Sequence, residues 1–157
     1  MVSPDKFREV MSQFGTGITV VTTLSEAGPY GLTVNSFTSV SLDPLLILVC
    51  LDNRLSGLRA FTDSGKFGVS ILSENQETVS RLFAKKDTER PASLYFEGPA
   101  GLPLIRDSIA VFECETLATH PGGDHTIFVG KVLSAEILEN RKEAKPLLYF
   151  RSKYERL

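Results

Sequence analysis

Apolar side chains recur at Phe7, Val10, Met11 and Phe14, the i, i+3, i+4, i+7 spacing of one helical face. Ser3 suits the N-cap, Pro4 the first helical position and Asp5 the positive end of the dipole, while Gly15 suits the stop. A helix over 4–14 is predicted, with its stripe in the core. From Gly15 to Leu51 the chain carries only two charges, Glu26 and Asp43, and its pattern turns β-branched. Residues 18–24 (ITVVTTL) read as a strand and Ala27-Gly28-Pro29 as a turn. Tyr30, Leu32 and Val34 then alternate with Gly31, Thr33 and Asn35 in a second strand to about Phe37. Asp43-Pro44 breaks the next stretch, and the apolar run from Leu45 to Leu51 predicts a strand buried on both faces.

Short helices interrupt this β pattern. Asp52 or Asn53 is the predicted cap of one running to about Phe61. After a strand at 66–72, Ser73-Glu-Asn-Gln76 reads as a capping box opening a helix with Val79, Leu82 and Phe83. A charged loop follows from Lys85 to Arg90, then a turn-rich bend at Pro99–Pro103. Two long strands, 108–119 and 126–138, flank the loop His120-Pro-Gly-Gly-Asp-His125, the second with Ile127, Val129, Leu133, Ala135 and Ile137 on one face. Residues 140–145 are polar, and the chain ends with Tyr149, Phe150 and Tyr154. Strands joined by short turns, without βαβ alternation, predict a mainly β, antiparallel, closed or split barrel in one domain spanning 1–157.

Composition narrows the function by exclusion. A formal net charge of −2 argues against nucleic-acid binding as the main role. The longest apolar run is Leu45–Leu51, well short of the ~20 residues of a membrane-spanning helix. The opening MVSPDKFREV has no signal-peptide apolar core, and Cys50 and Cys114 form no framework, so a reduced, cytoplasmic protein is expected. No G-x-S-x-G elbow surrounds a serine, no Rossmann or P-loop glycine motif occurs, and the two histidines make no zinc pattern, so no metal is expected.

Three segments carry candidate chemistry. Residues 33–41 (TVNSFTSVS) line up hydroxyls and an amide without a single charge. That is either the solvated face of a strand or a set of neutral donors and acceptors for a planar heteroaromatic ligand. Cys50-Leu-Asp-Asn-Arg-Leu-Ser56 leaves a strand for a helix start, where Arg54 and Ser56 suit an anion and Asp52 and Asn53 equally suit a cap. His125 opens a strand after two glycines, as a loop residue or facing a ligand at a rim.

Taken together these segments resemble the flavin reductase family, the short-chain NAD(P)H:flavin oxidoreductases on an FMN-binding split barrel. Residues 14–22 (FGTGITVVT) are similar to its opening F-x-T-G-V-x-V-V-T, and 31–44 (GLTVNSFTSVSLDP) to its G-x-T-x-N-S-F-x-S-V-S-x-D-P. Residues 123–130 (GDHTIFVG) match its G-D-H-x-x-x-x-G, and 148–154 (LYFRSKY) add a fourth agreement. Glu89-Arg90-Pro91 stands where members often have D-R-F, and Pro44-Leu45 where they often have Pro-Pro.

The resemblance implies a Greek-key-like barrel and a homodimer with FMN or FAD near the subunit interface, reduced by NADH or NADPH. Thr33, Val34, Asn35 and Ser36 would line the isoalloxazine, Cys50, Leu51 and Asp52 would border ring and ribityl chain, and Arg54 with Ser56 would hold the phosphate. His125 would stand beside the nicotinamide or the ring as the catalytic candidate, Tyr154 would pack at the cofactor, and Phe83 is either a further contact or helix core. The implied reaction is hydride transfer to flavin N5, with reduced flavin released to a partner monooxygenase or its electrons passed to another acceptor. The alternative is an electron-transfer FMN protein on the same barrel that oxidises NAD(P)H poorly.

Overall fold

The computed structural model describes residues 1–86 and 88–157, without the side chain of residue 140. Asp87, in the predicted charged loop, lies outside the described residues. Seven strands form one antiparallel sheet: β2 (Thr19–Ser25), β3 (Gly28–Val34), β4 (Phe37–Leu42), β5 (Leu45–Asp52), β6 (Lys66–Ile71), β9 (Ala110–Gly122) and β10 (His125–Ile137). Their order is β3-β2-β6-β9-β10-β5-β4. The two edge strands, β3 and β4, are thus consecutive in sequence and joined only through Asn35-Ser36. A sheet whose opposite edges are tied by two residues must curl round on itself, and it meets at a seam. This is the split barrel expected from the sequence.

Smaller elements close its ends. β1 (Thr16–Gly17), β11 (Leu148–Phe150) and β12 (Lys153–Glu155) make a three-stranded sheet, and β7 (Tyr95–Glu97) pairs with β8 (Pro103–Ile105) across the predicted bend. Three helices, α1 (Pro4–Met11), α2 (Leu58–Ser64) and α3 (Glu77–Ala84), lie around the barrel. No described helix is long and apolar enough to cross a membrane.

Two buried clusters hold the structure. One gathers Val21, Leu32, Val49, Leu51, Phe67 and Phe128 between the sheet's inner faces. The other packs Val20, Leu72, Phe83, Ile105 and Leu147 on the outer side of β2. The strand buried on both faces is therefore β2, not β5. In β5 only Ile47, Val49 and Leu51 are buried, while Leu46, Leu48 and Cys50 are half-exposed, since α1 stands across a cleft from Leu48 and Cys50 instead of packing on them. Buried threonines on β2 satisfy their hydroxyls on main-chain carbonyls, Thr19 on Val34 (2.9 Å) and Thr23 on Lys66 (2.8 Å).

Further expectations are corrected. The helix α1 starts where predicted, with Ser3 Oγ accepting from Lys6 N–H at 3.2 Å, but its apolar stripe is not core. Phe7, Val10, Met11 and Phe14 are between 49 % and 70 % exposed. The helix expected from Asn53 begins only at Leu58, because Asp52 Oδ1 accepts from Arg54 N–H (2.8 Å) and bends the chain into a turn. His120 is not in a loop: β9 and β10 run to a tight turn at Gly123-Asp124, where Gly123 takes a φ of 73° open to glycine at little cost. In β10 the inward residues are Phe128 and Gly130, and the predicted apolar face with Leu133 and Ile137 points outward. The Ser73–Gln76 box forms in one direction, Gln76 Oε1 accepting from Ser73 N–H at 3.0 Å, with α3 starting one residue beyond it.

Candidate active site

The seam gathers most of the polar residues singled out in the sequence. Ser36 continues the β4–β5 ladder: its carbonyl accepts from Cys50 N–H (3.3 Å), and its hydroxyl donates to Cys50 O (2.8 Å). This clasp fixes the end of β5 against the β3–β4 turn. No strand among the described residues pairs with the outer edge of β3, so main-chain groups on that edge have no strand partner. At the same end His125 stands opposite Asp52 in the β5–β10 pairing. Two segments 73 positions apart in sequence are thereby joined: Thr126 Oγ1 donates to Asn53 Oδ1 (2.7 Å), and Asn53 N–H donates to Asp124 O (2.9 Å).

Two clefts border the seam. The first, about 490 Å³, runs between β3, the Arg54–Ser56 turn and the C-terminal end of α3. Its walls include Tyr30, Thr33, Ser56 and Phe83, and four cations, Arg54, Lys85, Lys86 and Arg90. The second, about 580 Å³, lies between α1 and the β3–β4 turn, where Phe7, Met11, Phe14 and Tyr149 face Asn35, Ser36 and Cys50. One cleft is cationic and the other mostly apolar with a polar rim, where Arg8 is already ion-paired with Asp5 at 2.6 Å.

Charge at the site is ordered by two pairs. Arg54 Nε and Nη2 donate to the two oxygens of Asp52 at 3.0 and 2.7 Å. The Arg54 side chain and N–H hold the Asp52 carboxyl well below its usual range, and Asp52 in turn raises Arg54. The pair is ionised at any working pH, with the guanidinium oriented. His125 Nδ1 lies 2.6 Å from Asp124 Oδ1, and this hydrogen bond lowers the Asp124 carboxyl. An ionised carboxylate only accepts, so Nδ1 carries the proton and Nε2 is left for another partner. Burial raises the Cys50 thiol, and raises Cys114 to about 12, so neither is a thiolate nucleophile at neutral pH.

The structure sorts the candidate residues into distinct roles. Thr33, Arg54, Ser56 and Phe83 line the first cleft and Asn35, Ser36 and Cys50 the second. Leu51 is fully buried in the barrel and Val34 packs against the same cluster, so only their main chains can reach a ligand at the seam. Phe83 is core as well as cleft wall, 1 % exposed. Tyr154 belongs to neither lining; its hydroxyl meets Ser80 Oγ at 2.8 Å, while Thr33 Oγ1 donates to Ser80 O at 2.6 Å, a chain that moors β3 to α3. Lys85, Lys86 and Arg90 went unrecognised in the sequence because a charged run after a helix reads as a solvated loop.

The donor set fits a planar, phosphate-bearing cofactor. Hydroxyl, amide and main-chain groups line one cleft, with Arg8 at its α1 wall, and four cations line the other. Two buried polar atoms on these walls also have no hydrogen-bond partner among the described residues, Thr16 Oγ1 in the apolar cleft and Arg90 Nε in the cationic one.

A curled antiparallel sheet with this seam defines a split barrel. Residues 11–157 match the flavin reductase like domain. The NADH-dependent flavin reductase StyB of Pseudomonas fluorescens is 42 % identical over 150 residues, 94 % of this chain and 86 % of that protein. HsaB of Rhodococcus jostii, the reductase subunit of a flavin-dependent monooxygenase, is 35 % identical over 154 residues, covering 98 % of this chain and 77 % of that one. The solved structure of the flavin reductase PheA2 superposes with a TM-score of 0.90 at 38 % identity over 99 % of both chains. The chain belongs to the flavin reductase-like domain family.

Proposed function

We propose that this protein is an NADH:flavin oxidoreductase that supplies reduced flavin to a partner oxygenase, and that one flavin nucleotide lies along its seam. The observation that carries this reading is the meeting of a donor–acceptor rim with a cationic cleft at one unpaired strand edge. Asn35, Ser36, Cys50 and the main chains of Val34 and Leu51 would hold the ring edge, and Arg54 with Ser56 the phosphate. When bound, the flavin supplies the hydride acceptor, the hard chemistry that no side chain here could supply. The protein's share is orientation and charge. Asp52 keeps the Arg54 guanidinium aimed, Thr33 fixes the β3 edge through Ser80, and Asp124 holds the His125 ring with Nε2 free to face the nicotinamide. Relatives that are NADH-dependent flavin reductases or monooxygenase reductase subunits support the reductant and the partner.

The test is an absorbance spectrum of the purified protein followed by NADH with excess FMN. Rapid NADH loss that depends on added flavin is expected. Bound flavin without NADH oxidation would make the protein an electron carrier, and no flavin affinity would leave only the fold in common. Ser56→Ala is expected to weaken flavin binding roughly ten- to a hundredfold, the loss of one hydrogen bond to a charged group, as read by titration. Its unfolding free energy should move by less than about 0.5 kcal/mol because Ser56 is exposed. His125→Ala is expected to lower kcat/KM for NADH by about tenfold while flavin affinity moves less than about threefold. Unchanged turnover would return His125 to an ordinary turn residue.

The same reading makes the protein a cytoplasmic homodimer, cytoplasmic because NADH is its reductant. The exposed stripe of α1 beside the apolar cleft supports the dimer, since contiguous apolar surface of this kind marks an interface. Light scattering should give twice the chain mass, and Phe14→Glu should halve it; a monomeric parent protein would remove the proposal.

A further inference from the structure

A third cleft, about 280 Å³, opens at the far end of α3 from the cationic one, and none of its lining residues lines either cleft at the seam. Arg106 and Arg141 stand on its wall with a single carboxylate, Asp107. Arg141 Nη2 donates to Asp107 Oδ1 at 2.5 Å, so that carboxylate is taken. Among the described residues no carboxylate lies within ion-pair distance of Arg106. The main chain of Arg106 is held on both sides: Gln76 Nε2 donates to its carbonyl at 2.8 Å, and its N–H donates to Leu94 O at 2.9 Å. Two buried polar atoms in this corner, Arg141 Nε and Ser108 Oγ, have no hydrogen-bond partner among the described residues, and Ser108 is wholly buried. Asp107, between Arg106 and Ser108, takes a φ of 62°, a left-handed conformation that a non-glycine residue holds at some cost. Packing alone gains nothing from unpaired buried polar atoms or from strain, and here both gather in one place.

The three charged residues form a ridge, because a neighbouring cleft of about 410 Å³ has them on its own wall as well. The two sides of the ridge differ in sign. In the neighbouring cleft Glu136 and Glu139 join the wall and oppose an anion. On the α3 side the remaining polar groups, Asn75 and Ser93 among them, are uncharged, and the adjoining Glu77 is turned to Arg81 at 2.7 Å. Val79 and Leu94 supply an apolar wall there. We propose that this corner is a second binding site, one that takes a small carboxylic acid. Its carboxylate would lie on the Arg106 and Arg141 guanidiniums and its short hydrocarbon body on Val79 and Leu94. Guanidinium forks match a carboxylate in both plane and charge. The volume lies just below the ~300 Å³ at which pockets for drug-sized ligands begin, which is small for a nucleotide. The site stands whether or not the seam holds a flavin.

Benzoate is the probe, with acetate, phosphate and chloride as comparisons at constant ionic strength, followed by NMR of the isotope-labelled protein. The Arg141 Nε–H signal, identified by its loss in Arg141→Gln, is expected to shift saturably with benzoate at a Kd of about 1 mM or tighter. Acetate and phosphate lack the hydrocarbon body and should bind about tenfold more weakly. Arg106→Gln should weaken benzoate by about tenfold or more, the loss of one hydrogen bond to a charged group. Arg106 is exposed, so this variant keeps the fold, whereas Arg141→Gln also loses the Asp107 pair. No saturable shift up to about 50 mM benzoate, or the same shift with chloride, overturns the site. So does an Arg106→Gln protein that binds benzoate as the parent does. Shifts at the Asn35 side-chain amide in place of Arg141 would put benzoate at the seam and overturn it as well. Phosphate binding as tightly as benzoate overturns the carboxylic acid as its ligand.

Discussion

Replacing Glu113 with alanine should lower the unfolding free energy by about 3–5 kcal/mol, the scale for leaving several buried donors without an acceptor. Glu113 is fully buried on β9, and its two oxygens accept from Ala100 N–H (3.0 Å to each), Leu102 N–H (3.1 Å) and Ser134 Oγ (2.7 Å). One carboxylate thereby fastens the β7–β8 hairpin turn and the middle of β10 to the barrel. Alanine leaves those donors without an acceptor, and each buried unsatisfied group costs about 1–3 kcal/mol. Gly98 shows how closely the carboxylate is enclosed: a Cβ there would lie 2.5 Å from the Glu113 carboxyl. Glu113→Gln keeps the volume and one acceptor, so it should lose only about 1–2 kcal/mol. Urea unfolding followed by circular dichroism reads both. A loss below about 1 kcal/mol for alanine would mean that water replaces the carboxylate at no great cost.

The second large effect belongs to Phe83, which serves the core and the site at once. Its ring is 1 % exposed, packs edge-on against Tyr95 at 5.9 Å and carries Arg90 on its face. Phe83→Ala is expected to cost about 3–5 kcal/mol, as for other buried phenylalanines. The same variant removes the platform under Arg90, so flavin affinity should fall even at temperatures where the protein stays folded. Phe83→Leu fills much of the volume and should cost less than about 1.5 kcal/mol. Full flavin affinity in a folded Phe83→Ala protein would confine the ring to a packing role.

Much of this was legible in the residues, and the failures have physical reasons. The cap of α1 was readable because Ser3 and Pro4 act locally. What its stripe packs against is not a local property, and the pattern of Phe7, Val10, Met11 and Phe14 is the same for a core helix as for one left uncovered. Asp52 looks alike as an N-cap or as the start of a tight turn, since both use a carboxylate accepting a main-chain N–H two residues on. The β5 run is the more apolar of the two, seven apolar residues at 45–51 against four at 18–24, yet what packs on the outer face of β2, α3 included, decided that β2 is the one with both faces buried. For the site, Thr33–Ser36, Arg54–Ser56 and His125 were visible as separate segments. Their union depends on long-range pairing, as of His125 with Asp52, which no local signal carries. Lys85, Lys86 and Arg90 became part of the site only through the cleft they wall.

The bare outer edge of β3 has a consequence for handling the protein. A strand edge kept free for a ligand is also an edge on which a foreign strand can grow. Pro29, one residue into β3, removes a main-chain donor there and blunts that risk at the near end only. From Tyr30 to Thr33 the edge has no strand partner but lies along the cleft walled by α3, so it is open to a foreign strand only when that cleft is empty, and concentrated protein stripped of its small molecule should be the form that precipitates. Storage with the nucleotide in excess would then act as protection against self-association as well as a supply for turnover.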